Sequence, residues 1–342
     1  MLRAREGASG PDTLSLGITK RTVLEKYWSD YLAILKVFAS RKSLVCLWFR
    51  EIPFFLLQPR QKKVFKEAVL ALSSSVTELG LYGCHFSCYE EMVSFVRAFP
   101  HCDKLSIRDC VTGGRGSPEN SFAGFPQYKL SIVDLDITAS STHQFLIDPS
   151  GFIEDAELDV SSLYKLACDF RWVTGTRHII SATSKSPVCQ LRFSSHYPGG
   201  FQGTHTHVSY YLSSISLLTA TKVFVKSVSP GWRLESLAIG TMHDKANAEF
   251  WKVALKNFPK MPHLTRVQIT YDYRTPRSRN IFCWGSFASI LSNRKTFPRL
   301  ETVDAYPMYR SQRLGYWDSV ELLAPLKSLE SSGIKVMYFG QR

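Results

Sequence analysis

The chain has 342 residues, 44% of them hydrophobic and 13% aromatic, which is enough apolar side chain for a packed interior and excludes wholesale disorder. Its formal net charge is +13, so acidic proteins and nucleic acids are candidate partners. The eight cysteines are thinly spread, no secretory signal is recognisable, and no apolar run reaches the ~18 residues that a membrane span requires. We therefore expect a cytoplasmic or nuclear protein without a membrane partner.

Residues 1–43 hold one helix candidate. The run Gly7–Pro11 is small and polar, so we predict a disordered N-terminus over residues 1–20. The apolar residues of Val23–Phe38 recur with helical spacing. The pattern predicts a helix over residues 21–43 that caps an array beginning at residue 44.

From residue 44 onward one short apolar pattern recurs, which is written L-x-x-L-x-L. Its clearest copies are Val76–Leu81 and Cys102–Ile107, which start about 26 residues apart. A cysteine follows each copy, at Cys84 and Cys110, where the leucine-rich repeat has Asn or Cys. A further, degenerate copy is expected near Ile153–Val160. Looser copies begin at Leu44, Ile132, Val188, Leu234, Leu264, Leu300 and Ile334.

Between the copies, apolar residues return about every 3.6 positions, which indicates a helix after each strand. Phe65, Val69 and Leu72 share one helical face, and Pro100 ends the next segment of this kind. The sequence therefore predicts an α/β leucine-rich-repeat-like solenoid. We expect a horseshoe of about nine to ten units over residues 44–342, with parallel strands on the concave face and helices on the convex face.

The residues that alternate with the buried positions of each strand should line the concave face. Acidic residues interrupt the basic ones in this set, so the face does not fit a polyanion well. The members of the set are Cys46, Trp48, Arg50, Glu78, Gly80, Tyr82, Lys104, Ser106, Arg108, Asp134, Asp136, Gln190, Arg192, Arg266, Gln268, Thr302, Asp304 and Tyr306.

Two connections in the C-terminal half are rich in Tyr and Arg, the residues most enriched at binding hot spots. Because they follow successive strands, they should lie on one edge of the array, which we name the rim, and an acidic protein would fit them. The alternative that these are polar loops with aromatic residues covering the core stays open. The rim consists of Tyr271, Tyr273, Arg274, Arg277, Arg279, Tyr306, Tyr309, Arg310 and Arg313.

Two groups of residues raise the question of metal or catalytic chemistry. The first is Cys84, His85, Cys88, His101 and Cys102. It contains no C-x₂-C pair, and the repeat places its cysteines inward, so we expect no zinc. The second, Gly199–His207, completes no phosphate-binding or dinucleotide motif. No nucleophile elbow, zinc-protease helix or kinase signature occurs, and we expect a protein without catalytic residues, metal or cofactor.

The segments Glu78–Phe86, Phe95–Pro100 and Leu105–Asp109 resemble the F-box-like proteins of mushroom-forming fungi, which carry irregular leucine-rich repeats. The resemblance covers about residues 40–342, and the stretch from Leu323 to Val336 looks like the usual ending of that family. It implies a substrate receptor, in which an F-box docks a ubiquitin-ligase adaptor and the repeats hold a target protein. Residues 1–43 show no F-box pattern, so the sequence gives no support to adaptor docking. A nucleic-acid-binding protein with a basic, aromatic surface is the alternative.

Overall fold

A computed structural model describes residues 3–7, 10–17, 21–41, 44–113, 125–138, 149–168, 183, 186–193, 225, 233–242, 245–272, 284–308 and 324–338. The chain divides into two compact units, Met1–Leu163 and Tyr164–Arg342. Each unit combines parallel strands with helices, so the predicted α/β class and its parallel strands are confirmed. The horseshoe curvature stays a prediction.

The first unit has a main sheet whose described strands lie side by side in chain order. Its first pair is antiparallel and the other pairs are parallel. The main-sheet strands are β1 (Arg3–Gly7), β2 (Gly10–Gly17), β3 (Cys46–Arg50), β4 (Glu78–Tyr82), β6 (Lys104–Arg108) and β8 (Asp134–Thr138). A second, short parallel ladder joins β5 (His85–Phe86) to β7 (Val111–Thr112). The helices are α1 (Arg21–Arg41), α2 (Pro59–Ser73), α3 (Tyr89–Val96) and α4 (Pro149–Asp155), with a 3-10 helix at Phe54–Leu56.

Two buried rows cross the parallel strands of the first unit in unbroken register. The first row is Leu14, Leu47, Leu79, Leu105 and Leu135. The second row is Leu16, Phe49, Leu81, Ile107 and Ile137. The burial predicted for the apolar positions of these strands from residue 44 onward is therefore confirmed, and the strands share one register.

Helices cover the buried rows with aromatic side chains. Phe65 of α2 and Phe95 of α3 pack with Phe49, Phe54 and Phe86, and the ring centroids lie 4.8 to 6.1 Å apart. Full burial of a Phe side chain contributes roughly 1.5–3 kcal/mol, so this cluster is a major source of stability for the unit.

A tight turn follows each of three consecutive strands. Glu51, Gly83 and Asp109 take positive φ angles of 54°, 59° and 55° at equivalent positions. The turn directs the residue that follows it inward. Cys84 and Cys110 are buried there, and each thiol donates to a backbone carbonyl oxygen of the neighbouring strand at 3.4 Å. These cysteines are core residues of the repeat.

The N-terminus differs from the predicted disorder. Within residues 1–20 the structure describes β1 and β2, and β2 adds a parallel strand before residue 44. Leu14 and Leu16 are buried like their counterparts in later strands, which is why this segment is ordered. The predicted helix is present as α1, and it joins β2 to β3 as the helix of a repeat.

The second unit repeats this arrangement. Its main-sheet strands are all parallel: β9 (Lys165–Cys168), β10 (Gln190–Phe193), β11 (Ser236–Met242), β12 (Arg266–Asp272), β13 (Thr302–Met308) and β14 (Lys335–Tyr338). The helices are α5 (Lys245–Asn257) and α6 (Trp284–Leu291), with a 3-10 helix at Ala324–Ser332. One buried row crosses all six strands, formed by Leu166, Leu191, Leu237, Val267, Val303 and Val336.

The degenerate copy expected near Ile153–Val160 lies just after that range. Ile153 belongs to α4, and the missing strand is β9, whose pattern begins at Leu163. Leu163 and Leu166 are buried, but the last apolar position of this copy is Cys168 rather than a large aliphatic residue. Because a cysteine occupies this position, a search for leucine-like residues does not find the copy.

Candidate partner-binding face

The polar face of the first unit is the side of its main sheet that carries the residues between the buried rows. Strand register arranges these residues in three rows. The first row is Thr13, Cys46, Glu78, Lys104 and Asp134. The middle row is Ser15, Trp48, Gly80, Ser106 and Asp136. The last row is Gly17, Arg50, Tyr82, Arg108 and Thr138.

Trp48 lies against the backbone of the next strand. A Cβ atom at Gly80 would sit 2.1 Å from Cε3 of the Trp48 indole, so only glycine leaves room for the ring in this position. Tyr82 then stacks on Trp48, with ring centroids 5.0 Å apart and an interplanar angle of 24°. Both rings are only partly buried, and they form an aromatic platform on the polar face.

Two arginines contact the Tyr82 ring. The guanidinium carbons of Arg50 and Arg108 each lie 5.2 Å from the ring centroid, which is within cation–π distance. Ser106 Oγ donates to the Tyr82 hydroxyl at 3.3 Å. Burial raises the pKa of Tyr82, although Ser106 and the two arginines act in the opposite direction. The phenol is therefore neutral at physiological pH.

Arg108 is neutralised by the chain itself. Its Nε donates to Asp136 Oδ2 at 2.9 Å, and its Nη2 donates to the same oxygen. Burial lowers the pKa of Arg108, but the Asp136 carboxylate more than offsets this effect, and the pKa is raised. Asp136 Oδ1 is buried and has no hydrogen-bond partner within the described part of the chain. The side chain of Asp136 is only 12% exposed.

Arg50 has no such carboxylate. The Asp136 that pairs with Arg108 lies in the middle row of the following strand, and the same position next to Arg50 is Gly80. Among the residues that the structure describes, no carboxylate lies within ion-pair distance of Arg50. Its side chain is exposed. We name Trp48, Arg50, Tyr82, Arg108 and Asp136 the cation–aromatic cluster.

The second unit places an arginine–aspartate pair on the equivalent side of its strands. Arg266 Nε and Gln268 Nε2 both donate to Asp304 Oδ2, the latter at 3.4 Å. The Asp304 side chain is 0% exposed, whereas that of Arg266 is 45% exposed. The hydrogen bond to Asp304 raises the pKa of Arg266. Oδ1 of Asp304, like that of Asp136, is buried without a partner in the described residues.

The structure describes only part of the predicted rim. Tyr271 belongs to β12 and Tyr306 to β13, so both lie in strands rather than in the connections after them. Tyr306 is partly buried and pairs with Thr270 in the strand register. The other rim residues, Tyr273, Arg274, Arg277, Arg279, Tyr309, Arg310 and Arg313, lie outside the described residues. The rim as a binding site stays a prediction.

Sequence reasoning placed the members of the cation–aromatic cluster on the correct face but did not group them. The grouping depends on lateral register, which aligns Arg50, Tyr82 and Arg108 although they are far apart in the chain. A usable signal is present in the sequence. Trp48 is the middle residue of one predicted strand, and Gly80 is the middle residue of the next. The glycine has no side chain and so leaves space for the large indole ring.

The buried thiols fit a core role. Burial raises the pKa of Cys102 to about 12, so the thiolate that binds metal is strongly disfavoured there. Within the described residues, no group of three or more His, Cys, Asp and Glu side chains is placed to hold a metal ion. The motif Gly199–His207 lies outside the described residues.

A buried trio connects α2 to the start of α3. Lys62 Nζ donates to Ser87 Oγ at 3.1 Å and to Glu91 Oε1 at 2.6 Å, and the Ser87 backbone N–H donates to Glu91 Oε2 at 2.6 Å. Lys62 is paired with the Glu91 carboxylate, and all three residues are almost fully buried away from any substrate, so we interpret the trio as a structural ion pair.

Comparison with protein-family models finds no match to this chain, and comparison with curated proteins also finds none. None of the described helices has the length and apolar character that a membrane span requires.

Proposed function

We propose that this chain is a non-enzymatic protein-interaction scaffold of leucine-rich-repeat-like units, with the horseshoe curvature predicted from its repeats. The polar face of the first unit supports this proposal most directly. In-register strands gather two partly exposed aromatic rings and two arginines into one patch. Aromatic residues and arginine dominate the energetics of protein interfaces.

The resemblance to F-box-like leucine-rich-repeat proteins makes a substrate receptor the form of scaffold that we propose. The repeat strands that carry the resemblance are the strands that build the polar face. In the part of the chain where an F-box would be sought, β2 and α1 are a strand and a helix of the array. The proposal therefore concerns target binding, and docking to a ligase adaptor is not part of it.

Nucleic acid is the alternative partner, because the chain is basic and an aromatic platform can stack on bases. Against it, Glu78, Asp134 and Asp136 lie on the same face as the platform. A polyanion would meet repulsion at these positions.

Affinity capture from the native cell with the full chain, before and after nuclease treatment, tests the proposal. We expect a protein that co-purifies after nuclease treatment and is lost with Trp48→Ala, because that change removes the platform. Tyr128→Ala is the matched control, since Tyr128 is an exposed aromatic residue outside the cation–aromatic cluster. Capture of material that nuclease removes would contradict the scaffold and favour nucleic acid.

A further inference from the structure

Two arginines contact the same tyrosine ring, yet only one of them has a counter-ion. Arg50 and Arg108 lie at equal distances from Tyr82 and occupy the same row of the polar face. Arg108 is paired with Asp136, whereas Arg50 has no ion pair with any described residue. Among the described residues, a carboxylate therefore pairs with the arginine on one side of the Tyr82 ring and none pairs with the arginine on the other.

We propose that the polar face of the first unit binds an extended acidic peptide, whose Asp or Glu carboxylate pairs with Arg50 and whose neighbouring apolar side chain packs on Trp48. The inference rests on the proposed function and names the chemistry of its partner.

The Arg108–Asp136 pair supports a carboxylate as the missing group. It shows that a guanidinium stacked on Tyr82 keeps donors directed at a carboxylate in the same patch. Arg50 has the same stacking, which holds its planar group in place and reduces the entropy lost on binding. Charge-assisted hydrogen bonds from such a guanidinium are stronger than neutral ones.

The surroundings of Arg50 select a single carboxylate beside an apolar residue. Trp48 and Tyr82 provide a flat apolar surface next to the guanidinium. Glu51, the next residue in the chain, is exposed but forms no ion pair with Arg50. Its charge, with that of Glu78, limits how much negative charge the patch tolerates. An extended peptide with one acid at this point fits better than a continuous polyanion.

Selection of a displayed library of random peptides on the full chain tests the inference. We expect the enriched peptides to share an Asp or Glu next to an apolar residue. A synthetic peptide with that motif should lose about tenfold or more in affinity when the acid is replaced by its amide. Arg50→Gln should cause a similar loss with the acidic peptide. It should cause almost no further loss with the amide peptide, because the two changes remove the same contact.

Two controls separate this contact from general charge and from misfolding. Arg60→Gln removes another exposed positive charge, on α2 and outside the cluster, and should leave affinity unchanged. Arg50→Lys keeps the charge but not the bidentate geometry, and an intermediate affinity with an unchanged melting temperature is expected.

Additive losses from Arg50→Gln and the amide peptide, or enriched peptides without an acid, would overturn the inference. So would a single-stranded oligonucleotide that displaces the peptide in low salt and depends on Arg50. If the captured protein is lost with Trp48→Ala but retained with Arg50→Gln, the scaffold function stands and only the carboxylate contact is wrong. If no protein is captured and no peptide is enriched, both proposals fail.

Discussion

The two units place the same pair of residue types, arginine and aspartate, in different surroundings. In the second unit, Arg266 and Gln268 both donate to a fully buried Asp304. In the first unit, Asp136 is 12% exposed, and its partner Arg108 also stacks on Tyr82, a ring contacted by a second arginine that has no ion pair with any described residue. In the second unit both donors go to the same buried carboxylate, whereas in the first unit one of the two arginines on the ring keeps free donors among the described residues. This difference is the reason that we propose the first unit as the place where a partner binds.

The first unit also contains a fully buried ion pair, and its disruption should have the largest effect. Lys62→Met removes the cation that faces Glu91, which is 1% exposed, and leaves a carboxylate in the aromatic interior. We expect a loss of about 3–5 kcal/mol in the free energy of unfolding, measured by denaturant titration. The double variant Lys62→Met/Glu91→Leu should recover much of the loss, because no unpaired charge remains. A double variant as unstable as the single one would contradict the ion-pair interpretation.

Replacement of Arg108 or Arg266 by methionine tests the comparison between the two arginine–aspartate pairs. Arg266→Met leaves Asp304 fully buried with only Gln268 as a donor, and we expect a loss of about 3 kcal/mol. Arg108→Met leaves an aspartate that water can partly reach, so we expect about 1–2 kcal/mol, including the lost contact with Tyr82.

Hydrogen exchange of the β13 and β8 backbone amides can follow the two units separately. Equal losses in the two variants would show that the burial of the aspartate does not set the cost.

Local sequence patterns were enough to predict the strands of the repeat and the face on which each residue lies. They predicted Leu79 and Leu105 as buried and Tyr82 as facing the partner side, because alternation along a strand fixes both. They missed β2, whose two leucines follow Pro11 rather than a leading apolar residue, and they misplaced the copy that is β9. Each miss came from a departure at one position of the pattern.

Contacts between repeats were beyond the reach of the pattern. Lys62 and Glu91 are 29 residues apart and belong to different helices, so neither helix predicts its partner. The cation–aromatic cluster likewise depends on which strands are adjacent and on their register. Spacing between copies varies along the chain, and only the folded sheet shows that the register is kept.

The buried thiols of the two units offer the smallest and most specific comparison, through the pH dependence of stability. Burial raises the pKa of Cys102 in the first unit from 9.0 to about 12, and it also raises the pKa of Cys189 in the second unit, with a further contribution from Glu235. Below pH 9 the thiol of Cys102 is protonated in both the folded and the unfolded chain, so its contribution to stability is fully present.

Between pH 9 and about 12 the unfolded chain loses the Cys102 proton while the folded chain retains it. The unfolded state is therefore stabilised relative to the folded state. The free energy of unfolding should therefore fall by up to about 1.4 kcal/mol per pH unit from this thiol, and Cys102→Ala should remove that part of the slope. Denaturant titrations of the wild-type chain, Cys102→Ala and Cys189→Ala across this range measure the slopes. We expect the larger reduction with Cys102→Ala, because its thiol is held deeper in the repeat core. Parallel slopes in all three proteins would place the Cys102 thiol in contact with water.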